Sequence, residues 1–277
     1  LSTLTTTSTT SRSSDEARSH WFGTCAPHRR AIQISSFKLP RTIPPAAHDA
    51  APKMGKQSKS NAKKEQRKLT QRRRAALEER LRAPRALQDC GAGFLQPALL
   101  RVGDLEISFE RTLSKPDLAA CFDILEDNMK EQYEVNPWGW DPKMKRAELA
   151  NDEARFVLVR DAENCIQAFA HFRFELDDDD APERAVLYVR ELQVAEAHRG
   201  SGIGRRVMGV LQLVGAKLEL DCVLLTVFES NKGALAFYEA KLKYGLDRDD
   251  PSLFGREECY RLLSKSLPKP KPLGEAN

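Results

Sequence analysis

The chain has no Cys-x-x-Cys pair and no run of apolar residues long enough to cross a membrane as a helix. Its six cysteines (Cys25, Cys90, Cys121, Cys165, Cys222 and Cys259) stand singly, which argues against both a zinc site and a disulfide framework. A reducing interior, nucleus and cytoplasm, is the compartment expected, with no metal and no membrane contact. A spanning helix needs about 20 consecutive apolar residues, and none of the runs approaches that. Net charge is also scarce, only +4 over 277 residues. Yet 41% of the residues are hydrophobic, enough to form a sizeable core.

The small net charge conceals a polarity along the chain. Between Lys53 and Arg85 there are 13 basic and three acidic residues, whereas from Ala86 onward 25 basic face 34 acidic ones. A basic arm thus precedes an acidic domain, and an acidic domain suits a cationic partner. Residues 1–53, rich in Ser, Thr and Pro, read as a disordered leader. Two origins stay open for it: an organellar transit peptide, or an extension upstream of a start at Met54. The second is preferred because Met54-Gly55-Lys56 opens directly into the arm. The arm, 54–98, is expected to be partly helical, with Leu69, Leu77 and Leu81 as a thin apolar stripe. It reads as a nuclear-localisation, nucleic-acid or ribosome-binding segment, or simply as a solvated basic helix.

From residue 99 to 266 the periodicity alternates between strand and helix, and 267–277 reads as a disordered tail. Strands are expected over Leu105–Phe109, Arg155–Val159, Cys165–Phe174, Ala185–Val194, Val223–Val227 and Tyr260–Leu263. Helices are expected from Pro116, where Leu118, Phe122, Leu125 and Met129 recur at three- and four-residue steps, over Ile203–Leu218 and over Asn231–Lys243. The run Asp177-Asp178-Asp179-Asp180 reads as a solvated hairpin tip. This order implies an α/β fold with a mixed central sheet flanked by helices.

One junction concentrates the chemistry. A strand ending at Val194 leads into Arg199-Gly200-Ser201-Gly202-Ile203-Gly204-Arg205, which opens a helix. Glycines there let backbone N–H groups approach an anion, and the helix terminus favours negative charge. No Gly-Lys-Ser/Thr follows, so the turn is not a nucleotide-triphosphate loop. The third glycine of a dinucleotide fingerprint is missing as well. The bland reading is a glycine-rich turn of purely structural use. Arg199, Gly202 and Gly204 also match the R/Q-x-x-G-x-G/A signature, and in this the chain resembles the GNAT acetyltransferase superfamily. Leu225-Thr226-Val227-Phe228, Asn231 and Ala236-Phe237-Tyr238 resemble the second half of that superfamily's cofactor site.

A narrower likeness lies in Asn128-Met129, Tyr133, Trp138-Gly139-Trp140, His171-Phe172-Arg173-Phe174, Tyr188 and Glu191-Leu192-Gln193-Val194. These pieces resemble the N-terminal acetyltransferase D (NatD) family, which acetylates the N-terminal Ser of histones four and two-A. The resemblance implies acetyl-CoA as cofactor and histone N-terminal tails as partners. It implies that the backbone of Leu192, Gln193 and Val194 holds the pantetheine and that Arg199, Gly200, Ser201, Gly202, Ile203, Gly204 and Arg205 hold the pyrophosphate. Asn231 would contact the cofactor near its thioester. Tyr133, Trp138, Glu175, Asp177, Tyr188, Arg190, Thr226 and Tyr260 would form the peptide pocket. Glu191 would be the general base and Tyr238 the acid. At Arg190 the family carries Tyr, and Arg cannot donate the same hydroxyl.

The chemistry can be weighed without the family. An α-amine loses its proton at about 7.7–8.0 against about 10.4 for lysine, a difference worth roughly 3.4 kcal/mol at neutral pH. A single carboxylate, direct or through water, suffices for the remaining proton transfer. Glu175 or Asp177 could pair with the arginine of a Ser-Gly-Arg-Gly peptide. The duller alternatives are an ion-pair role for Glu191 and core roles for Tyr238, Trp138 and Trp140. Two rival functions also stay open: acetylation of lysine side chains or other N-termini, and an inactive GNAT-like module that binds nucleic acid or the ribosome.

Overall fold

The computed structural model of the chain describes residues 56–89 and 95–269. The leader 1–53 and residues 270–277 of the tail lie outside the described residues.

Helix α1 (Lys56–Ala86) is polar over its first turns, and residues 61–69 are all exposed. Leu77 and Leu81, four residues apart and so on one face, are buried in the main core, whereas Leu69 stays in solvent. Several arginines of this docked half are spent on the domain. Arg80 donates to Asp221 and to the Glu219 carbonyl, Arg85 donates to the Phe174 carbonyl, and Arg73 pairs with Glu183. Exposed cations cluster further toward the N-terminus, at Lys63, Lys64, Arg67, Lys68 and Arg72, while Arg82 is exposed and pairs with Glu79 on the helix itself.

Helix α2 (Lys115–Glu134) starts where Ser114 accepts the N–H of Asp117, with Pro116 in the first turn, the combination that satisfies and presets a helix start. Its stripe buries Phe122 and Leu125. A Trp-Gly-Trp turn, with Gly139 at φ 67°, leads to α3 (Pro142–Leu149), capped by the Asp141 carboxylate.

Among the described residues eight strands form one sheet. They are β1 (Arg101–Val102), β2 (Leu105–Glu110), β3 (Arg155–Arg160), β4 (Ile166–Leu176), β5 (Ala185–Val194), β6 (Cys222–Phe228), β7 (Gly245–Leu246) and β8 (Tyr260–Ser266), in the order β1-β2-β3-β4-β5-β6-β8-β7. All pairs are antiparallel except β5 with β6, whose parallel crossover runs through α4 (Ile203–Lys217). This is the α/β mixed sheet expected. One face packs on α1 and α4 in the largest core cluster, and the other packs on α2 around Phe122, Phe156 and Phe169.

Two expectations need correction. The aspartate run is not a solvated tip. Asp177 accepts the N–H groups of Glu183 and Arg184 and pairs with the Arg184 and Arg248 guanidiniums, and its side chain is only 1% exposed. Asp178 accepts the N–H groups of Asp180 and Ala181 and so closes the turn. The helix expected over Asn231–Lys243 is also not regular. A short α5 (Lys232–Leu235), capped by the Asn231 side chain, passes into a π-helical turn at Ala236–Lys241. Such turns insert an extra residue and re-aim the side chains they carry.

Candidate active site

The site originates in a flaw in β5. On β4 His171 and Phe172 are neighbours, but their partners on β5 are Glu191 and Val189, so Arg190 is an extra residue, a β-bulge. Side chains alternate across a strand, and the bulge resets that alternation. Leu187 and Val189 belong to the α4-side core, and beyond the bulge Leu192 and Val194 pack against that same core. Glu191 and Gln193 are thereby turned to the opposite face, where they join Tyr188 and Arg190.

The bulge also opens the sheet. Parallel pairing of β5 with β6 runs from Val186–Cys222 to Val189–Leu225 and goes no further. Beyond it β5 stays on β4 as far as Val194, and β6 stays on β8 as far as Phe228. Ala195, next in register, donates its N–H to Gln167 on the β4 side. Strand alternation therefore points the N–H and C=O of Leu192 and Val194 into the gap. The same alternation gives the backbone of Gln193 to β4, a correction to its expected role on the cofactor; its part is taken by its side chain.

Beside the gap stands the glycine turn. Gly200 and Gly202 have φ of 79° and 91°, a region that admits glycine without strain. Gly202 is the N-cap of α4 and no side chain caps the helix, so its first N–H groups remain open to an anion. Arg199 donates to the Asn128 side-chain oxygen and to the Val194 carbonyl, and Ser201 donates to the His198 carbonyl. At Gly204 an added Cβ would lie 3.3 Å from the Phe237 ring, so strand, helix and π-turn meet closely there. Ile203 is buried as the first residue of α4, and Arg205 is exposed beside the turn.

On the opposite face Glu191 is buried and held from two sides. Lys145 of α3 lies 3.3 Å from one carboxylate oxygen, and Gln193 donates to the other at 2.9 Å. Lys145 also pairs with Glu148 at 3.0 Å and sits 4.5 Å above the Tyr133 ring. Burial pushes the Glu191 carboxyl above the usual range, with Lys145 pulling against it. Burial works against the Lys145 charge, but the Glu191 carboxylate outweighs it and the ammonium is retained. Asn128 donates to the Gln193 side-chain oxygen and accepts from Arg199, so one polar chain joins the carboxylate to the glycine turn.

Aromatic rings wall this face. Trp138 packs on Phe228 and Tyr260, and Tyr133 packs on Trp138, Trp140 and Phe228. Trp140 lies deeper, against Phe122, with its indole N–H on Glu126. Tyr188 and Thr226 share a hydrogen bond of 2.5 Å. Glu175 lies on β4 but is already engaged, with both its oxygens 2.9 Å from Arg190 Nη2. Asp177, expected in the pocket, is instead consumed by Arg184 and Arg248 at the hairpin, as described above. Tyr238, carried by the π-turn, is buried beside Phe237 and Tyr244, and burial holds its hydroxyl well above the ordinary phenol range, hence protonated. The Asn231 side-chain oxygen caps α5 by accepting the Ala234 N–H.

Residues 121–244 match the model of the Acetyltransferase (GNAT) family. That stretch, from α2 to just past the π-turn, is similar to the GNAT acetyltransferases. Three solved structures illustrate the likeness. The ribosomal-protein-S18-alanine N-acetyltransferase of Escherichia coli is 19% identical over 62% of this chain and 99% of its own, with a TM-score of 0.43. NAA60 of Arabidopsis thaliana, solved with a bisubstrate analogue, is 16% identical over 58% of this chain and 98% of its own, with a TM-score of 0.43. Ard1 of Thermoplasma volcanium is 14% identical over 60% of this chain and 99% of its own, also at 0.43.

For this domain the fit to acetyl-CoA rests on its own geometry. The Leu192 backbone and the Val194 N–H, turned into the gap, suit an amide-bearing arm, while Asn128 and Arg199 hold the Val194 carbonyl; the uncapped α4 terminus suits a pyrophosphate. Among the described residues no group of His, Cys, Asp or Glu is arranged to hold a metal ion, and no helix is long and apolar enough to cross a membrane.

The sequence reading had no means of finding Lys145, a buried lysine on a short polar helix. Asn128 entered it only as part of the family likeness, without a role. The bulge did leave a signal: polar residues at 190, 191 and 193 against apolar ones at 189, 192 and 194 break the strict alternation by one step.

Proposed function

We propose that this GNAT domain transfers an acetyl group from acetyl-CoA to the N-terminal α-amine of Ser-starting protein tails, with histone tails of the Ser-Gly-Arg-Gly type as the acceptor class. The observation that carries it is the bulge at Arg190, which sets a buried carboxylate on an aromatic-lined face directly behind an open strand gap. Acetyl-CoA, when bound, supplies an activated acetyl thioester. Leu192 and Val194 present N–H groups that polarise a carbonyl placed in the gap. Glu191 accepts a proton from the amine, directly or through water. Lys145 offsets part of the rise that burial imposes on that carboxyl. A carboxylate base matches an α-amine far better than a lysine, whose proton is harder to remove by roughly 3.4 kcal/mol. Tyr238 remains protonated in its apolar setting and in this reading is the acid that donates to the departing thiolate.

The NatD likeness supports the choice of histone tails, and with it activity in nucleus and cytoplasm. The exposed cations of α1, from Lys63 to Arg72, suit an anionic partner such as nucleic acid or the ribosome. The test compares Ser-Gly-Arg-Gly-Lys-Gly-Gly with the same peptide blocked at its N-terminus, each incubated with acetyl-CoA. Product on the free peptide alone supports the reading. Equal product on both moves the activity to lysine side chains, and product on neither favours the inactive binding module.

A further inference from the structure

Glu175 is the acid on this face best placed to meet a basic acceptor side chain, and it is not free. Arg190 Nη2 lies 2.9 Å from each of its oxygens, with the guanidinium 4.4 Å above the Tyr188 ring. Arg173, also on β4, is buried and approaches the same carboxylate to 3.9 Å. The Nε groups of both Arg190 and Arg173 are buried without a hydrogen-bond partner. Two guanidiniums therefore converge on Glu175, with Glu153 at 3.8 Å as the second partner of Arg173, and two donors stay unused. Because the bulge turns Arg190 and Glu191 to one face, this cluster of guanidiniums around Glu175 adjoins the proposed base.

A cationic side chain entering here has to displace Arg190 from Glu175 and do so against two like charges. We propose that Arg190 determines acceptor selectivity by holding Glu175. It withdraws from the pocket the carboxylate that a basic acceptor residue needs, so that the first residue and its amine, and not a following arginine, decide which chains are acetylated. Ser-Gly-Arg-Gly tails are then accepted for their start and compete with Ser-starting tails that lack the arginine. The inference rests on the N-terminal acetyltransferase reading above.

The experiment measures kcat/KM for Ser-Gly-Arg-Gly-Lys-Gly-Gly and Ser-Gly-Ala-Gly-Lys-Gly-Gly on wild type, Arg190→Gln, Arg190→Gln with Glu175→Gln, and Glu175→Gln alone. The ratio of the two peptides on one variant cancels damage common to both. Wild type is expected to show a ratio within about threefold of one, and Arg190→Gln a ratio raised about tenfold through KM. The double variant is expected to return to the wild-type ratio, and Glu175→Gln alone to leave it unchanged. A wild-type preference for the arginine peptide above tenfold, or an unchanged ratio in a folded Arg190→Gln, overturns the proposal. A ratio that falls in Glu175→Gln alone does the same without relying on the Arg190 variant. If wild type acetylates neither free peptide, the N-terminal acetyltransferase reading itself fails, and this inference falls with it.

Discussion

Removing Lys145 is the sharpest perturbation of this site. Lys145 and Glu191 have side chains only 8% and 7% exposed, at a separation of 3.3 Å. In Lys145→Met the carboxylate keeps Gln193 as its one donor and loses its counter-charge. Breaking a buried pair from one side typically costs about 3–5 kcal/mol. For a domain of this size that corresponds to a fall in Tm of roughly 6–20 °C. Without the ammonium the Glu191 pKa, already raised by burial, rises further. A carboxyl raised in the folded state binds more protons there than in the unfolded chain, so stability falls as pH increases through that range. The deficit of Lys145→Met is therefore largest at alkaline pH and smallest at acid pH. The acid limb of the kcat/KM profile moves to higher pH, because the base must lose its proton before it can act. Adding Glu191→Gln removes the unpaired charge and is expected to restore much of the lost Tm while abolishing turnover. Thermal melts of the single and double variants across pH, with pH–rate profiles of wild type and Lys145→Met, provide the check. A double variant no more stable than Lys145→Met, together with an unmoved acid limb, refutes the pairing of Lys145 with a catalytic carboxylate.

Three further outcomes follow from the same geometry. Gly202→Ala places a Cβ at φ 91° at the start of α4 and is expected to raise the Kd for acetyl-CoA about tenfold or more by tilting the anion turn, measured by calorimetry with peptide KM little changed. Tyr238→Phe keeps the ring in its packing and removes only the hydroxyl, so kcat is expected to fall about 10²-fold with Tm unchanged; an unaltered kcat assigns Tyr238 to the core alone. Arg184→Met strips buried Asp177 and Asp247 of their shared guanidinium and is expected to cost several kcal/mol, on the order of the 3–5 for a broken buried pair, with residual activity per folded molecule unaffected. Hydrogen bonds from Arg184 lower the Asp177 pKa below its ordinary 3.8 despite burial. The stability it contributes is present above that value and is lost as pH falls through the lower folded pKa. Acid unfolding curves of the variant should accordingly lack that component.

The strands and the anion turn were legible because each rests on a local pattern. Alternation marked β2 to β6 and β8 to within a few residues, while β1 and β7, two residues each, are too short to alternate. The turn was readable because glycine at 200 and 202 meets a backbone demand. What escaped depends on contacts between distant segments. The acidic run at 177–180 looked solvated because its partners, Arg184 and Arg248, are fixed only by the hairpin and the approach to β8. Glu175 looked free for the same reason, since its neutralisation by Arg190 requires β4 and β5 in register. The docked half of α1 shows the same limit: its charge suggested an external polyanion, yet Arg80 and Arg85 satisfy carbonyl and carboxylate groups of the domain itself. The bulge lies between these cases, written in the sequence as a one-residue slip but given meaning only by the gap it opens.

The most direct test of the site is where the acetyl group lands. Under single-turnover conditions with acetyl-CoA and Ser-Gly-Arg-Gly-Lys-Gly-Gly, fragment mass spectrometry locates the product within one molecule that offers both an α-amine and a lysine. Acetylation confined to the serine α-amine, and lost in Glu191→Gln, is the expected result. Acetyl on the lysine, or product undiminished in Glu191→Gln, contradicts the account.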